Sequence, residues 1–176
     1  MKNILAFAGS NSSDSINKQL ATYAADLVAD VKVTVLDLND FDLPIYSKDL
    51  EAKSGIPENA KKFHQHIEKA DGLVVSLAEN NAAYSAVFKN LFDWMSRYEQ
   101  KTFLGKPMLL MATSPGGRGG ASVLAMAAER FPRHDANVVA EFSLPLFNDK
   151  FSDGKIVDED FNEKLKKAVQ LFQNSL

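Results

Sequence analysis

The sequence contains no cysteine. That absence removes disulfides, thiolate nucleophiles and cysteine-ligated metal sites together, so any redox chemistry needs a cofactor from outside the chain. No apolar run approaches the ~18 residues of a membrane-spanning helix, and the apolar stretch in "MKNILAFAGS" is too short for the core of a secretory signal. A basic surplus is missing as well, since 20 Lys and Arg stand against 23 Asp and Glu, a formal net charge of −3. General nucleic-acid binding needs a basic face and is disfavoured. These absences predict a cytoplasmic protein with no nucleic-acid or membrane partner.

Several motifs are absent too. There is no G-x-x-x-x-G-K-[ST] phosphate loop, no G-x-G-x-x-G dinucleotide fingerprint and no G-x-S-x-G nucleophile elbow. The histidines do not fill the gap. His64 and His66 stand two apart on a helical stretch, hence on different faces, and cannot share a metal. His134 lies in a connection with no nucleophile beside it. We therefore expect no catalytic side chain and no metal ligand.

What is present is ordinary globular composition, 45% hydrophobic and 24% charged over 176 residues, which fits a single domain spanning 1–176. Short apolar runs at Asn3–Ala8, Val31–Leu36, Gly72–Leu77, Met108–Thr113 and Val138–Phe142 read as strands buried on both faces. Segments of helical period lie between them, as in Val87, Leu91, Trp94, Met95 and Tyr98, and a last one carries Phe161, Leu165, Val169 and Phe172. The stretch Asp37–Pro57 reads as a long irregular connection, and Asn148–Asp160 as a turn with a short hairpin. Alternation of strands and helices predicts a parallel sheet covered on both faces, a three-layer α/β/α sandwich. Two strand orders suit it, a Rossmann-like half and the flavodoxin-like 2-1-3-4-5, and both place a ligand beyond the carboxyl ends of the strands at a switch point.

Three loops then matter. "GSNSSDSIN" after the first strand offers hydroxyl donors at Ser10, Ser12 and Ser15 and a helix start at Asn17, which suits a phosphate monoester. "AENNAAYSA" places Glu79, Asn80 and Asn81 directly after a buried strand, where they can bond a polar ring edge or simply cap a turn. "SPGGRGG" exposes backbone with few side chains in the way, which suits close approach of a flat ring or a pyrophosphate, and adds Arg118 for an anionic cosubstrate. The aromatic segment "AVFKNLFDWMSRY" reads as core, cofactor wall or subunit face.

These loops carry a resemblance. Gly9, Ser10, Asn11, Ser12, Ser13, Asp14, Ser15, Ile16 and Asn17 resemble the G-S-x-R-x-x-S-x-N opening of the NADPH-dependent FMN reductase family, which includes quinone, azo and chromate reductases. "AENNA" followed by Lys89, Asn90, Leu91, Phe92, Asp93 and Trp94 resembles its P-E-Y-N-G and K-N-x-x-D-W segments, and "TSPGGRGG" its third loop. Ser12 replaces the usual Arg, and Ala78, Asn80 and Ala82 replace the usual Pro, Tyr and Gly. The resemblance implies a flavodoxin-like fold with a five-stranded parallel sheet in the order 2-1-3-4-5. It implies FMN as cofactor, bound by Ser10, Ser12, Ser15, Ile16 and Asn17, by Ala78, Glu79, Asn80 and Asn81, and by Ser114, Pro115, Gly116, Gly117, Gly119 and Gly120. Tyr84 and Arg118 would face the substrates. The implied activity is hydride transfer from NADPH or NADH through FMN to a flavin, quinone or similar small-molecule acceptor, in a homodimer or homotetramer. A one-electron carrier of the flavodoxin type and a flavin-free binding protein are the alternatives on the same fold. The mild net charge and the Gly-rich third loop count against the carrier.

Overall fold

Apolar runs that alternate with helical pattern become one sheet with helices on either side. The computed structural model describes residues 1–176. In chain order the elements are β1 (Lys2–Gly9), α1 (Ile16–Asp26), β2 (Val31–Leu36), α2 (Lys48–Ser54), α3 (Glu58–Lys69), β3 (Gly72–Leu77), β4 (Glu79–Asn80) and β5 (Ala83–Tyr84). They continue with α4 (Ala86–Tyr98), β6 (Pro107–Thr113), α5 (Ala121–Arg130), β7 (Asn137–Leu144), α6 (Phe147–Lys150), β8 (Phe151–Ser152), β9 (Lys155–Ile156) and α7 (Glu159–Asn174). The main sheet runs β2-β1-β3-β6-β7, all parallel. Counting its strands alone, this is the 2-1-3-4-5 order. The pairs β4–β5 and β8–β9 are antiparallel hairpins outside it.

Period-two alternation sorts the core into two layers. On β1, Ile4 and Ala6 face α1 and α7 with Leu20, Leu165 and Phe172, while Leu5 and Phe7 face α3, α4 and α5 with Phe63, Phe88 and Val123. The two layers hold 20 and 23 buried apolar residues, so the sheet is insulated on both sides almost equally. Central strands β1, β3 and β6 are buried nearly throughout. The edge strands differ from the expectation of burial on both faces. β2 and β7 expose many of their residues, Val35 among them, because an edge strand has a neighbour on one side only and its covering helices lie further in.

The connection Asp37–Pro57 is more ordered than its composition implied. It contains a 3-10 turn at Leu38–Asp40 and the exposed helix α2, capped by Ser47, whose Oγ accepts the Leu50 N–H at 3.1 Å. α4 fastens this segment. Asn90 accepts the Tyr46 N–H at 2.8 Å and donates to the Pro44 carbonyl at 3.0 Å, and the Trp94 indole donates to the same carbonyl at 2.8 Å. Trp94 is fully buried. The K-N-x-x-D-W segment is thus a latch on the β2 connection, with Lys89 and Asp93 paired on its outer face.

Candidate functional site

The loops after β1, β3 and β6 converge on one cavity of about 260 Å3 at the carboxyl ends of these strands. Its walls are Ser10, Ser12, Asp14, Ser15, Ile16 and Asn17 from the first loop, Ala78, Glu79 and Asn80 from the second, and Thr113, Ser114 and Pro115 from the third. The strand order reverses here, since the chain steps from β1 outward to β2 and returns to β3 on the other side. This is where an open parallel sheet leaves a crevice between diverging connections.

The first loop folds on itself before entering α1. The Ser12 N–H donates to Ser10 Oγ at 3.2 Å, the Ser15 N–H to the Ser12 carbonyl at 3.2 Å, and Ser15 Oγ caps the helix by accepting the Lys18 N–H at 3.1 Å. The N–H groups of Ile16 and Asn17 make no hydrogen bond within the protein. They stand at the positive end of α1 and at the wall of the cavity, beside the hydroxyls of Ser10 and Ser12. That donor set fits a phosphate monoester.

Asn17 differs from what its motif position implied. Its side chain is 2% exposed and fully engaged: Oδ1 accepts the Ser76 hydroxyl at 2.7 Å and the Thr113 N–H at 3.1 Å, and Nδ2 donates to the Thr113 carbonyl at 3.2 Å. The side chain pins α1 to β3 and β6, so only the backbone N–H of Asn17 is free for a ligand. Glu79 is committed in a similar way. Its Oε2 accepts the Val123 N–H at 2.9 Å, capping α5, which has no side-chain cap of its own.

The second loop is a hairpin. Asn81 and Ala82 both take left-handed backbone, at φ 51° and 60°, forming its two-residue turn, and Asn81 lies outside the cavity wall. Tyr84 does not face the cavity either, contrary to its expected substrate-facing place. It pairs directly with Glu79 across the hairpin. Residues directly opposite share one face of a ladder, and Glu79 lays that face on α5. The Tyr84 ring accordingly stacks on Phe131 at 6.1 Å and lies 5.5 Å from Phe88, bordering a different groove with Lys89, Met126, Glu129, Arg130 and Arg133. Its hydroxyl is buried without a partner, and burial pushes its pKa up to about 12 despite the nearby Arg130 charge.

The third loop offers bare backbone. A side chain at Gly117 would meet nothing within 4 Å, and one at Gly116 would meet only Ser114 Oγ at 3.9 Å. That open face beside the wall residues Ser114 and Pro115 fits close approach of a flat ring. Gly119, outside the wall, is needed for another reason. At φ +59° a Cβ there would run into Ser143 Oγ and the Pro145 nitrogen. Gly120 also lies outside the wall, as the left-handed residue that starts α5. Arg118 is exposed, donates to Ser122 Oγ at 3.0 Å, and does not reach the cavity.

The structure adds residues that motif reading passed over. Ser143 Oγ donates to the Gly119 carbonyl at 2.9 Å, and the N–H groups of Leu146 and Phe147 bond the carbonyls of Gly116 and Ser114 at 3.0 and 3.1 Å. The β7 connection is thus a buttress under the third loop. Ser85 joins the first loop to α4, donating to the Gly9 carbonyl at 2.8 Å while it caps that helix. The only sequence signal for Ser85 is its place at a helix start, and Ser143 has none.

The profile of the NADPH-dependent FMN reductase family matches residues 2–169. The chain belongs to that family. Among its relatives, a 2-hydroxy-1,4-benzoquinone reductase of Burkholderia sp is 34% identical over 175 residues, covering 85% of this chain and 93% of the relative. An NAD(P)H-dependent FMN reductase of Pseudomonas aeruginosa is 27% identical over 177 residues, covering 97% and 92%. Among solved structures, FerB, a flavoenzyme NAD(P)H:(acceptor) oxidoreductase from Paracoccus denitrificans, superposes with a TM-score of 0.78 at 27% identity, covering 99% of this chain and 96% of that one. A flavodoxin of Bacillus cereus superposes at 0.62 with 17% identity and shares the fold. No helix of the chain is long and apolar enough to cross a membrane.

Proposed function

We propose that the protein is an FMN-dependent NAD(P)H oxidoreductase that delivers two electrons to a small acceptor of the flavin or quinone class. The observation that carries this reading is the convergence of the three loops on one cavity whose first-loop wall holds free N–H and hydroxyl donors. The free Ile16 and Asn17 N–H groups with Ser10 and Ser12 would take the FMN phosphate. Ala78, Asn80, Ser114 and Pro115 would border the ring, and the bare backbone of Gly116 and Gly117, just outside the wall, continues from Pro115. A flavin held there would supply the two-electron chemistry between nicotinamide and acceptor, so no protein base is required. The chain's own work is to orient the flavin and leave one face open. The similarity to a benzoquinone reductase and to an NAD(P)H:(acceptor) oxidoreductase supports the acceptor class.

The finer expectations go with this reading. The protein works in the cytoplasm as a homodimer or homotetramer. Beside Asn11, an apolar pocket of about 350 Å3 with Phe41, Leu43, Val87 and Leu91, rimmed by Ile45 at 76% exposure, is surface that association would cover.

The test is an anaerobic visible spectrum of the purified protein with FMN, followed by one equivalent of NADPH or NADH. Stoichiometric bleaching and subsequent turnover of a quinone are expected. Flavin that binds but is reduced by neither nicotinamide would make the protein a carrier, and no binding would make it a flavin-free relative.

A further inference from the structure

We propose that the groove beside Tyr84 is a second anion site, one that takes a phosphate monoester. It encloses about 360 Å3 between α4, β5 and the end of α5, and it shares no lining residue with the flavin cavity. Three cations line it, Lys89, Arg130 and Arg133, with Tyr84 and Met126 as its apolar wall. Arg130 decides the reading. Of the four arginines in the chain, Arg97 is engaged by Glu51, Arg118 by Ser122 and Arg133 by Glu129, whereas Arg130 makes no side-chain hydrogen bond and no ion pair. Its planar guanidinium therefore holds a free fork of N–H donors, the geometry that bonds two phosphate oxygens at once.

The other two cations can turn to the same ligand. Arg133 stands 3.5 Å from Glu129 with both side chains mostly exposed, and Lys89 pairs with Asp93 on the outer face of α4. Exposed pairs within one helical turn are worth little in water. A carboxylate would engage Arg130 alone, but a phosphate monoester, with its double charge and three acceptor oxygens, also draws on Arg133 and Lys89. Two sources share that chemistry, the 2′-phosphate of NADPH and a free phosphate ester. The first rests on the flavin reading, and the groove is placed for it. Tyr84 stands opposite Glu79 on the hairpin, and Glu79 lines the cavity. Arg130 follows Val123, the residue that Glu79 caps, by seven positions on α5, about 10 Å at 1.5 Å per residue. A dinucleotide with its other end at the cavity spans that distance.

Calorimetric titration with adenosine 2′-monophosphate, against adenosine as control and with and without FMN, tests this. The monophosphate should bind about tenfold or more tighter than adenosine, weaken as salt rises, and be indifferent to FMN. Arg130→Gln should weaken it about tenfold and Arg133→Gln about threefold, while Arg118→Gln binds it as the wild type does. Turnover then separates the sources. A KM for NADPH raised about tenfold in Arg130→Gln, with that for NADH unchanged, identifies the cosubstrate's 2′-phosphate, and unchanged values for both identify a free ester. A monophosphate that binds no tighter than adenosine, that FMN displaces, or that Arg130→Gln binds as well as the wild type overturns the inference. If no FMN binds, the flavin reading fails by itself, and the titration without FMN still decides the groove.

Discussion

Asn17 shows how one side chain can carry more of a site than any ligand contact reveals. Its amide closes three hydrogen bonds onto residues 59 and 96 positions away, holding the ends of β3 and β6 against the start of α1. Removing it leaves the buried Ser76 hydroxyl and Thr113 N–H without partners, and each such group costs about 1–3 kcal/mol. Asn17→Ala should therefore lower stability by about 2–4 kcal/mol in urea unfolding, and flavin affinity should fall with it, because the third loop hangs from Thr113. A loss below about 1 kcal/mol would mean that water replaces the amide. The sequence identified Asn17 as a site residue through its motif but could not give its role. That role depends on partners brought close only by the sheet, and no local pattern encodes them.

At the scale of elements, the β4–β5 hairpin turns on two residues with left-handed backbone. Its turn places Ala82 at φ 60°, where a side chain of L configuration costs roughly 1–2 kcal/mol and an Asn-Gly pair is the favoured turn. Ala82→Gly should raise stability by up to about 1 kcal/mol, the strain relieved less the extra freedom of glycine in the unfolded chain. Amide exchange in Asn80–Tyr84 should slow; exchange unchanged or faster would show that the turn bears no strain. The five long strands and five main helices were legible because they repeat a period over many residues. The hairpin was not, since two residues per strand carry no period. α2 was missed although Ser47 and Gly55 mark its start and stop, because it buries no residue and so leaves no apolar stripe. Edge exposure of β2 did show in the sequence, as the alternation of Val31, Val33 and Val35 with Lys32 and Thr34 that the central strands lack, and a reading of short apolar runs alone passes over it.

Over the whole molecule, stability should follow a plateau bounded by two kinds of titrating group. The Lys18 ammonium and then the Asn39 N–H hold Asp37 below its ordinary 3.8, and the Phe161 N–H with Lys150 does the same for Asp158. Carboxyls with depressed folded values contribute stability above pH ~4 and lose it as pH falls through those values, which sets the acid limb. Asp37 caps the turn after β2 and ties it to α1, so its protonation loosens that joint. The alkaline limb has the opposite origin. Tyr84 is pushed from 10.0 to about 12, chiefly by burial, so folding favours the neutral phenol, and its contribution is whole below pH 10 and is lost as pH rises toward 12. Its hydroxyl finds no partner, so Tyr84→Phe removes a buried polar group and breaks no hydrogen bond. The variant should be equal to the wild type or up to about 1 kcal/mol more stable at pH 7. Between pH 10 and 11 it should lose stability less steeply, part of the limb remaining through Tyr46, which its hydrogen bond to Glu51 also raises. Urea unfolding at pH 7 and 10.5 separates the outcomes. A variant destabilised by more than about 1 kcal/mol at pH 7 would mean that the hydroxyl is satisfied after all. Unchanged stability together with lost quinone turnover would return Tyr84 to the substrate side of the hairpin.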